Sequence, residues 1–342
     1  MFRYLVRRVL WAVLLFLIIT FVTFVIFFMA PNDPARAVCG GDQARAACLK
    51  LATAKLGLDK PLTTQYGRFI NKLLPVSFWD NEYKFHSTPV FKTPTLGKQF
   101  DTGASLDQTI GKAAPVTASL VIGGAIFWML IGLSVGIFSA LRPRSLVDRA
   151  AMVFVLIGVS AHPVWIGLIF SYTFGVKLHW TPIASYANFF GAPPDSGLPG
   201  GPWQWAYHMI LPWLTFAILF AALYVRMIRA NVLDTMNEDY VRTARAKGAP
   251  ERRVLFSHVL RNALLPVVTM LGMDIGVGLG GAIFTEGVYQ LPGLGRTIII
   301  ALAAEDLATI QAVVVFATVS ILVFNLIVDL LYAWIDPRIR LS

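Results

Sequence analysis

Six long apolar runs constrain this chain more than any other feature of its sequence. They cover residues 9–29, 116–140, 151–176, 210–227, 265–285 and 310–334. A helix needs about 20 apolar residues to cross a bilayer, and the crossing backbone must be helical because no water satisfies its polar groups there. The runs therefore predict six transmembrane helices. The fourth run is the shortest, and glycines dilute the fifth.

The composition agrees with a membrane-embedded chain. Of its 342 residues, 56% are hydrophobic and 14% are charged, and the mean hydropathy is +0.66. These values indicate an all-α, polytopic membrane protein. The net charge of +10 does not indicate nucleic-acid binding, since the basic residues form no continuous patch and no finger, RNP-type or basic-zipper motif is present.

The N-terminal run is interpreted as a retained transmembrane helix, residues 1–29, rather than as a secretory signal. It is too long for a signal h-region, and the following PNDP is not a small-residue cleavage site. Basic residues crowd both termini and the connections after the second and fourth runs, whereas the short connections on the opposite side hold only Lys177 and Arg296. This bias predicts a multi-pass membrane protein with both termini in the cytoplasm.

Residues 30–112 form a long external loop, which separates the first helix from a core at 113–342. Within 61–74, apolar residues at helical spacing predict an amphipathic helix on the outer membrane face or against its neighbours. A shorter helix is expected to end at Gly57. The stretch 76–101 has no clear period and receives no assignment. Cys39 and Cys48 lie in the same loop, either paired as a disulfide, which an oxidising compartment allows, or as two unlinked thiols.

No motif for catalysis is visible. The phosphate-binding pattern G-x-x-x-x-G-K-[ST] is absent, as are H-E-x-x-H and G-x-S-x-G. The five histidines are scattered and form no metal-binding cluster. We therefore expect a transport subunit rather than an enzyme, with no catalytic residue, no metal and no cofactor bound by this chain.

The most informative segment is the connection between the fourth and fifth runs, NEDYVRTARAKGAPERRVLFSHVLRNALLP. Asn237 is predicted to cap a helix that stops at Gly248, and a second helix begins at Pro250. Together they form a compact knob that is basic on one side and is lined by Val241, Ala244, Leu255 and Val259. Such a knob suits either a rigid contact with another protein or binding to anionic lipid.

This segment resembles the coupling loop of ATP-binding-cassette (ABC) importer permeases, in particular the B-type membrane subunit of the dipeptide, oligopeptide and nickel branch. D-Y-V-R-T-A-R-A-K-G is typical of that branch. Further similar stretches are FRYLVRR with APNDP, LGLDKP with QY, ALRPRSLVDR, LPWLTFA, GGAIFTEGVYQLPGLGR and NLIVDLLYAWIDPRIR. Two positions depart from the wider family, since Arg242 replaces its usual glutamate and Arg261 its usual proline. A third departure is the PNDP at 31–34, where a glycine is more usual in second place.

The resemblance implies the importer-permease fold, a place in the bacterial inner (plasma) membrane, and one half of a pathway for di- or oligopeptides or related small solutes. It implies as partners a second homologous permease, two ATPase subunits that bind ATP and Mg, an extracytoplasmic substrate-binding protein and membrane lipid. Coupling to the ATPase is expected over 237–263, through Glu238, Asp239, Tyr240, Thr243, Ala244, Ala246, Gly248, Ala249, Pro250 and Arg253.

Polar and small residues inside the apolar runs are further candidates for the pathway or a gate. Asp274 either lines the pathway or accepts hydrogen bonds from a neighbouring subunit. Gly272 and Gly276, with Gly280, form a face that we expect to contact the paired permease, with packing inside this chain as the alternative. His162, before Pro163, is expected to mark a kink in a packing helix rather than a ligand site.

The last run carries a polar stripe at helical spacing, formed by Asn325, Asp329, Tyr332 and Asp336. Hydrogen bonds between helices explain this stripe better than substrate binding. A self-sufficient secondary transporter or channel is the alternative function; it predicts several intramembrane charges and inverted repeats, which the sequence does not display.

Overall fold

The computed structural model describes residues 2–29, 39, 46–56, 59–74, 76–79, 85–91, 93–99, 103–191 and 200–335. The PNDP motif at 31–34 and the end of the chain from Asp336 lie outside these ranges. Nearly all of the described chain is helical. Its helices are α1 (Phe2–Met29), α2 (Ala46–Leu56), α3 (Leu62–Leu73), α4 (Leu106–Leu141), α5 (Leu146–Ser160), α6 (Pro163–Lys177), α7 (Pro202–Met236), α8 (Asp239–Ala246), α9 (Glu251–Ala263), α10 (Leu265–Gly278), α11 (Ile283–Tyr289), α12 (Leu294–Ala303) and α13 (Leu307–Ile335).

The helices account for the six predicted spans. Four are continuous, in α1, α4, α7 and α13, and two consist of bent pairs. The pair α5 and α6 bends by 106°, and the pair α9 and α10 bends by 47°. The fourth span was predicted too short, because Gln204 and His208 at one end of α7 and Arg226 and Arg229 at the other bound the apolar run inside a helix of 35 residues. The fifth span also differs from its prediction, since α10 ends at Gly278 rather than at residue 285.

The core lies between α4 and α7, which pack along their length. Trp128 of α4 and Tyr224 and Ile228 of α7 are fully buried there. The two backbones approach closely at Gly132 and Gly136, where an added Cβ would lie 2.8 Å from the Tyr224 Cβ and 3.0 Å from the Ile228 Cβ, respectively. Small residues are what allow two helices to approach this closely in a membrane.

Helix α1 lies at the edge of the bundle, with most of its apolar surface exposed. Arg8 of α1 forms an ion pair with Asp329 of α13. This contact confirms interhelical bonding for that member of the polar stripe, whereas Asp336 is outside the described residues. In the middle of α1, Tyr66 of α3 donates to the backbone oxygen of Leu17 at 2.9 Å, and its ring packs edge-on against Phe21. Helix α3 therefore packs against α1, one of the two predicted settings.

The rest of the long loop has two further ordered features. Two antiparallel strands, β1 (Val76–Trp79) and β2 (Phe85–Phe91), pair with each other in the stretch that the sequence left unassigned. Cys39 and Cys48 form a disulfide with their Cα atoms 5.9 Å apart, which confirms the pairing. The predicted start of the core at residue 113 falls inside α4, which begins at Leu106.

Candidate functional site

The segment 237–263, here called the knob, folds as two helices joined by a tight turn. Helix α8 begins at Asp239 with Glu238 at its N-cap position. The prediction that Asn237 caps this helix is wrong, because Asn237 ends α7 in helical geometry and its side chain donates back to the oxygen of Leu233 at 3.0 Å. Asparagine is common at both ends of helices, so its presence alone does not tell which end it occupies.

The turn of the knob is constrained by backbone geometry and by an ion pair. Gly248 has φ +78°, a left-handed conformation that glycine adopts without steric cost, and it stops α8 as predicted. Arg245 before the turn donates through Nε to Glu251 after it at 2.9 Å. The Ala249 N–H also donates to the Ala244 oxygen at 3.2 Å. The two helices of the knob therefore keep a defined relative position.

The knob is an extension of the transmembrane core. Val241 of α8 and Val254 and Val259 of α9 are buried, and they belong to the same apolar cluster as Trp128 and Tyr224. Ala244 and Leu255 pack against this cluster, as the sequence predicted. A displacement of the knob therefore acts on packed side chains of α4 and α7, because closely packed interiors transmit strain.

The residues predicted to contact an ATPase are brought together on the knob. Exposed members are Glu238, Asp239, Tyr240, Thr243, Ala246, Gly248, Pro250 and Arg253, whereas Ala244 and Ala249 are half-buried. Tyr240 also has an internal role, since its hydroxyl accepts from Asn262 Nδ2 at 2.7 Å and so ties α8 to α9. The sequence analysis did not single out Phe256, whose side chain is 60% exposed on the same knob.

Asp274 is half-buried in α10 and has a donor within its own chain. The hydroxyl of the fully buried Tyr224 donates to Asp274 Oδ2 at 2.7 Å. This hydrogen bond supplies one of the partners that a carboxylate needs in an apolar setting.

The glycine face of α10 packs within the chain. An added Cβ on Gly272 would lie 1.8 Å from Val328 Cγ2, and one on Gly276 would lie 3.2 Å from the Ile321 Cα, both on α13. The expectation that this face contacts a paired permease is therefore wrong, and the alternative of packing inside the subunit holds. The spacing of small residues in the sequence indicates that another helix packs closely on this face, but it does not indicate which helix that is.

His162 marks the predicted kink. It stands at the junction of α5 and α6, where its Nδ1 accepts from the Val164 N–H at 3.3 Å and its ring lies edge-on to Phe284 of α11. Proline at the first position of α6 is compatible with a new helix start. His162 thus caps a helix at the sharpest bend of the bundle.

Three buried carboxylates, Asp148, Glu286 and Asp306, were missed by the sequence analysis, and Asp306 accepts hydrogen bonds from the backbone and hydroxyl of Thr309. Asp148 is 5% exposed and receives hydrogen bonds from Arg229 and Ser139. Glu286 is fully buried in α11, accepts from Thr117 Oγ1 at 2.7 Å and from the Arg296 N–H at 3.1 Å, and thereby joins α4 to the start of α12. In α11, which lies outside the six candidate spans, burial raises the pKa of Glu286, and these hydrogen bonds partly offset that rise.

Both halves of the chain match known protein families. Residues 132–341 match the binding-protein-dependent transport system inner membrane component, and residues 1–121 match the N-terminal region of the membrane component of such systems. A fold similar to the chain occurs in an inward-facing MetNI methionine ABC transporter, with a TM-score of 0.51, 15% identity, and coverage of 67% of this chain and 97% of the other.

Three curated relatives match the chain over nearly its whole length. The chain is 33% identical to a putative peptide permease protein of Brucella suis over 100% of both chains. It is 33% identical to the dipeptide transport system permease protein DppB of Alkalihalophilus pseudofirmus, covering 99% of this chain and 100% of the relative. It is 34% identical to the glutathione transport system permease protein GsiC of Salmonella paratyphi A over 99% of both. These relatives support an importer permease and not a self-sufficient transporter or channel. The chain therefore belongs to the family of binding-protein-dependent transport system inner membrane components, as a multi-pass permease of an ABC importer.

Proposed function

We propose that this chain forms half of the translocation pathway of an importer for di- or oligopeptides, and that ATPase subunits seated on the knob drive it. The observation that carries this proposal is the continuity between the knob and the bundle. Val241, Val254 and Val259 share one apolar cluster with the core residues of α4 and α7. Force applied at the knob is thus delivered to two of the longest transmembrane helices.

The remaining components follow from the family of transport systems. A second homologous permease completes the pathway, and an extracytoplasmic substrate-binding protein delivers the substrate at the outer face. Two ATPase subunits bind ATP and Mg, and this chain itself binds no cofactor. The cycle requires two discrete arrangements of the helices, with the partner ATPase biasing the equilibrium between them.

The peptide substrate class is supported by the names of the relatives, which are peptide, dipeptide and glutathione permeases. Glutathione is itself a tripeptide, so the three names share one chemistry. Competition of labelled dipeptide uptake by unlabelled peptides and by free amino acids tests this class. Competition by free amino acids, with none by peptides, would contradict it.

ATPase docking is tested by blocking the exposed surface of the knob. Ala246 is exposed on α8, and Ala54 is exposed on α2 in the long loop. Ala246→Trp places a bulky ring on the proposed interface, whereas Ala54→Trp adds the same ring elsewhere. We expect Ala246→Trp to weaken retention of the ATPase on the purified complex about tenfold, equivalent to about 1.4 kcal/mol, and Ala54→Trp to leave it unchanged.

Equal retention in both variants would place the ATPase elsewhere and leave lipid binding as the role of the knob. Uptake by liposomes that contain this chain alone would refute the importer mechanism.

The orientation of the chain in the membrane is tested with the same positions in a chain without Cys39 and Cys48. A membrane-impermeant maleimide is expected to label Ala54→Cys in intact cells, and Ala246→Cys only after the inner membrane is opened. The reverse pattern would invert the topology.

A further inference from the structure

A partly buried ion pair, in which Asp148 is buried and Arg229 is half-buried, links three transmembrane helices near the knob. Arg229 of α7 donates to both oxygens of Asp148 at the start of α5, through Nε to Oδ1 at 2.6 Å and through Nη2 to Oδ2 at 2.9 Å. Ser139, in the last turn of α4, donates to Asp148 Oδ1 at 2.5 Å, and the Arg144 N–H donates to Oδ2 at 2.8 Å. Every oxygen of this carboxylate is therefore occupied by donors from its surroundings.

The position of the pair is what makes it relevant to transport. Arg229 lies two helical turns before Met236, the last residue of α7, after which the knob begins. Asp148 lies on α5, which leads to the 106° bend at His162 and into α6. The pair thus stands between the segment that is proposed to receive force and the most strongly broken span.

Apolar packing alone does not set the register between α5 and α7. Their contact includes Ala151, Val155 and Val225, and Gly158 packs closely against Ala222. Such contacts are non-directional, whereas a bidentate arginine–carboxylate pair has a fixed geometry. A buried ion pair contributes little net stability, and setting register is its best attested use.

We propose that Asp148 and Arg229 are positioning residues that transmit movement of the knob from α7 to the broken span α5–α6. This proposal rests on the proposed function, since it assumes an ATPase acting on the knob. Without the pair, α7 would move against α5 rather than with it. ATP would then be hydrolysed without a matching movement of substrate.

The experiment measures ATP hydrolysis and substrate uptake together in liposomes that contain the whole complex and its substrate-binding protein. Arg229→Lys keeps the positive charge but lacks the fork that binds both carboxylate oxygens. We expect this variant to retain the ATPase and to hydrolyse ATP, while the substrate moved per ATP falls about fivefold or more, in the range of typical coupling free energies. If Arg229→Lys moved as much substrate per ATP hydrolysed as the wild-type complex, the proposal would be overturned.

A double variant separates positioning from simple stability. Asp148→Asn alone leaves the Arg229 charge unpaired, which destabilises the fold, whereas Asp148→Asn with Arg229→Met removes both charges and restores folding. We expect the double variant to fold and still to transport poorly per ATP; a restored ratio would show that the pair serves stability alone and would overturn the proposal. If the double variant does not accumulate, Arg229→Lys decides.

The Arg8–Asp329 ion pair between α1 and α13 provides a matched control, because it joins two helices that belong neither to the knob nor to the α5, α6 and α7 connection. Asp329→Asn is expected to leave the ratio unchanged, and an equal fall in this variant would overturn the specific role of Asp148 and Arg229. Failure of the proposed function has a different signature. In that case the wild-type complex itself shows no ATPase bound to this chain, or no uptake dependent on ATP.

Discussion

The contact between Gly272 and Val328 allows a quantitative prediction about how α10 and α13 pack. An added Cβ at Gly272 would lie 1.8 Å from Val328 Cγ2 but 3.3 Å from Val328 Cβ and 3.9 Å from the Phe324 oxygen. Val328 is 4% exposed and has little room to turn aside. The clash thus concerns one methyl group, and Gly272→Ala is expected to destabilise the fold by about 2 kcal/mol, as overpacked cores typically do.

Removing that methyl should relieve the clash. Val328→Ala alone loses packing contacts and is expected to cost about 1 kcal/mol. In the double variant, the new Cβ meets only the Cβ of residue 328 at a distance that requires a shift of a few tenths of an ångström. We therefore expect the double variant to cost about 1 kcal/mol in total, which makes the two changes non-additive by about 2 kcal/mol.

The assay is thermal unfolding of the purified complex in detergent, with all four members of the double-mutant cycle measured under one condition. Gly111→Ala is the control, since an added Cβ there has no neighbour within 4 Å, and alanine favours helix over glycine by up to about 1 kcal/mol. If Gly272→Ala is as stable as Gly111→Ala, or if the two effects add, the described packing of α10 on α13 is refuted.

Three further changes test single interactions. Tyr224→Phe removes the donor to Asp274 and is expected to cost about 1–3 kcal/mol in the same thermal assay; an unchanged midpoint would show that another group satisfies Asp274. Glu286→Leu removes the acceptor of the Thr117 hydroxyl and of the Arg296 N–H, so we expect the free energy of unfolding to fall by about 2 kcal/mol, and a stable variant would contradict this hydrogen-bond arrangement. Replacing Cys39 and Cys48 by serine is expected to cost about 2–3 kcal/mol of local stability, measured by proteolysis of the long loop. A reductant should abolish the difference from the wild-type chain, and a difference that persists under reduction would have another cause.

The sequence predicted the spans because crossing a bilayer demands length and apolarity, both of which can be read directly. It predicted the turn of the knob because Gly248 and Pro250 constrain the backbone in known ways. It also predicted which valines line the knob, since helical spacing places them on one face. These features depend on residues that are close together in the chain.

The failures depend on residues that are distant in the chain. Asp148 and Arg229 are 81 positions apart, and Glu286 and Thr117 are 169 positions apart. A single sequence indicates that such side chains need partners, but not which partners they find. The assignment of the Gly272 face to a second subunit failed for the same reason, because α13 covers this face from within the chain.

The burial of Val241, Val254 and Val259 in the apolar cluster that continues into α4 and α7 limits how the knob can be redesigned or exchanged between relatives. A graft of the whole segment would bring in side chains shaped for another bundle and would leave voids or overlaps beneath it. To make this permease bind a different ATPase subunit, one should therefore change solvent-facing positions such as Ala246 and Arg253 and keep the three valines in place.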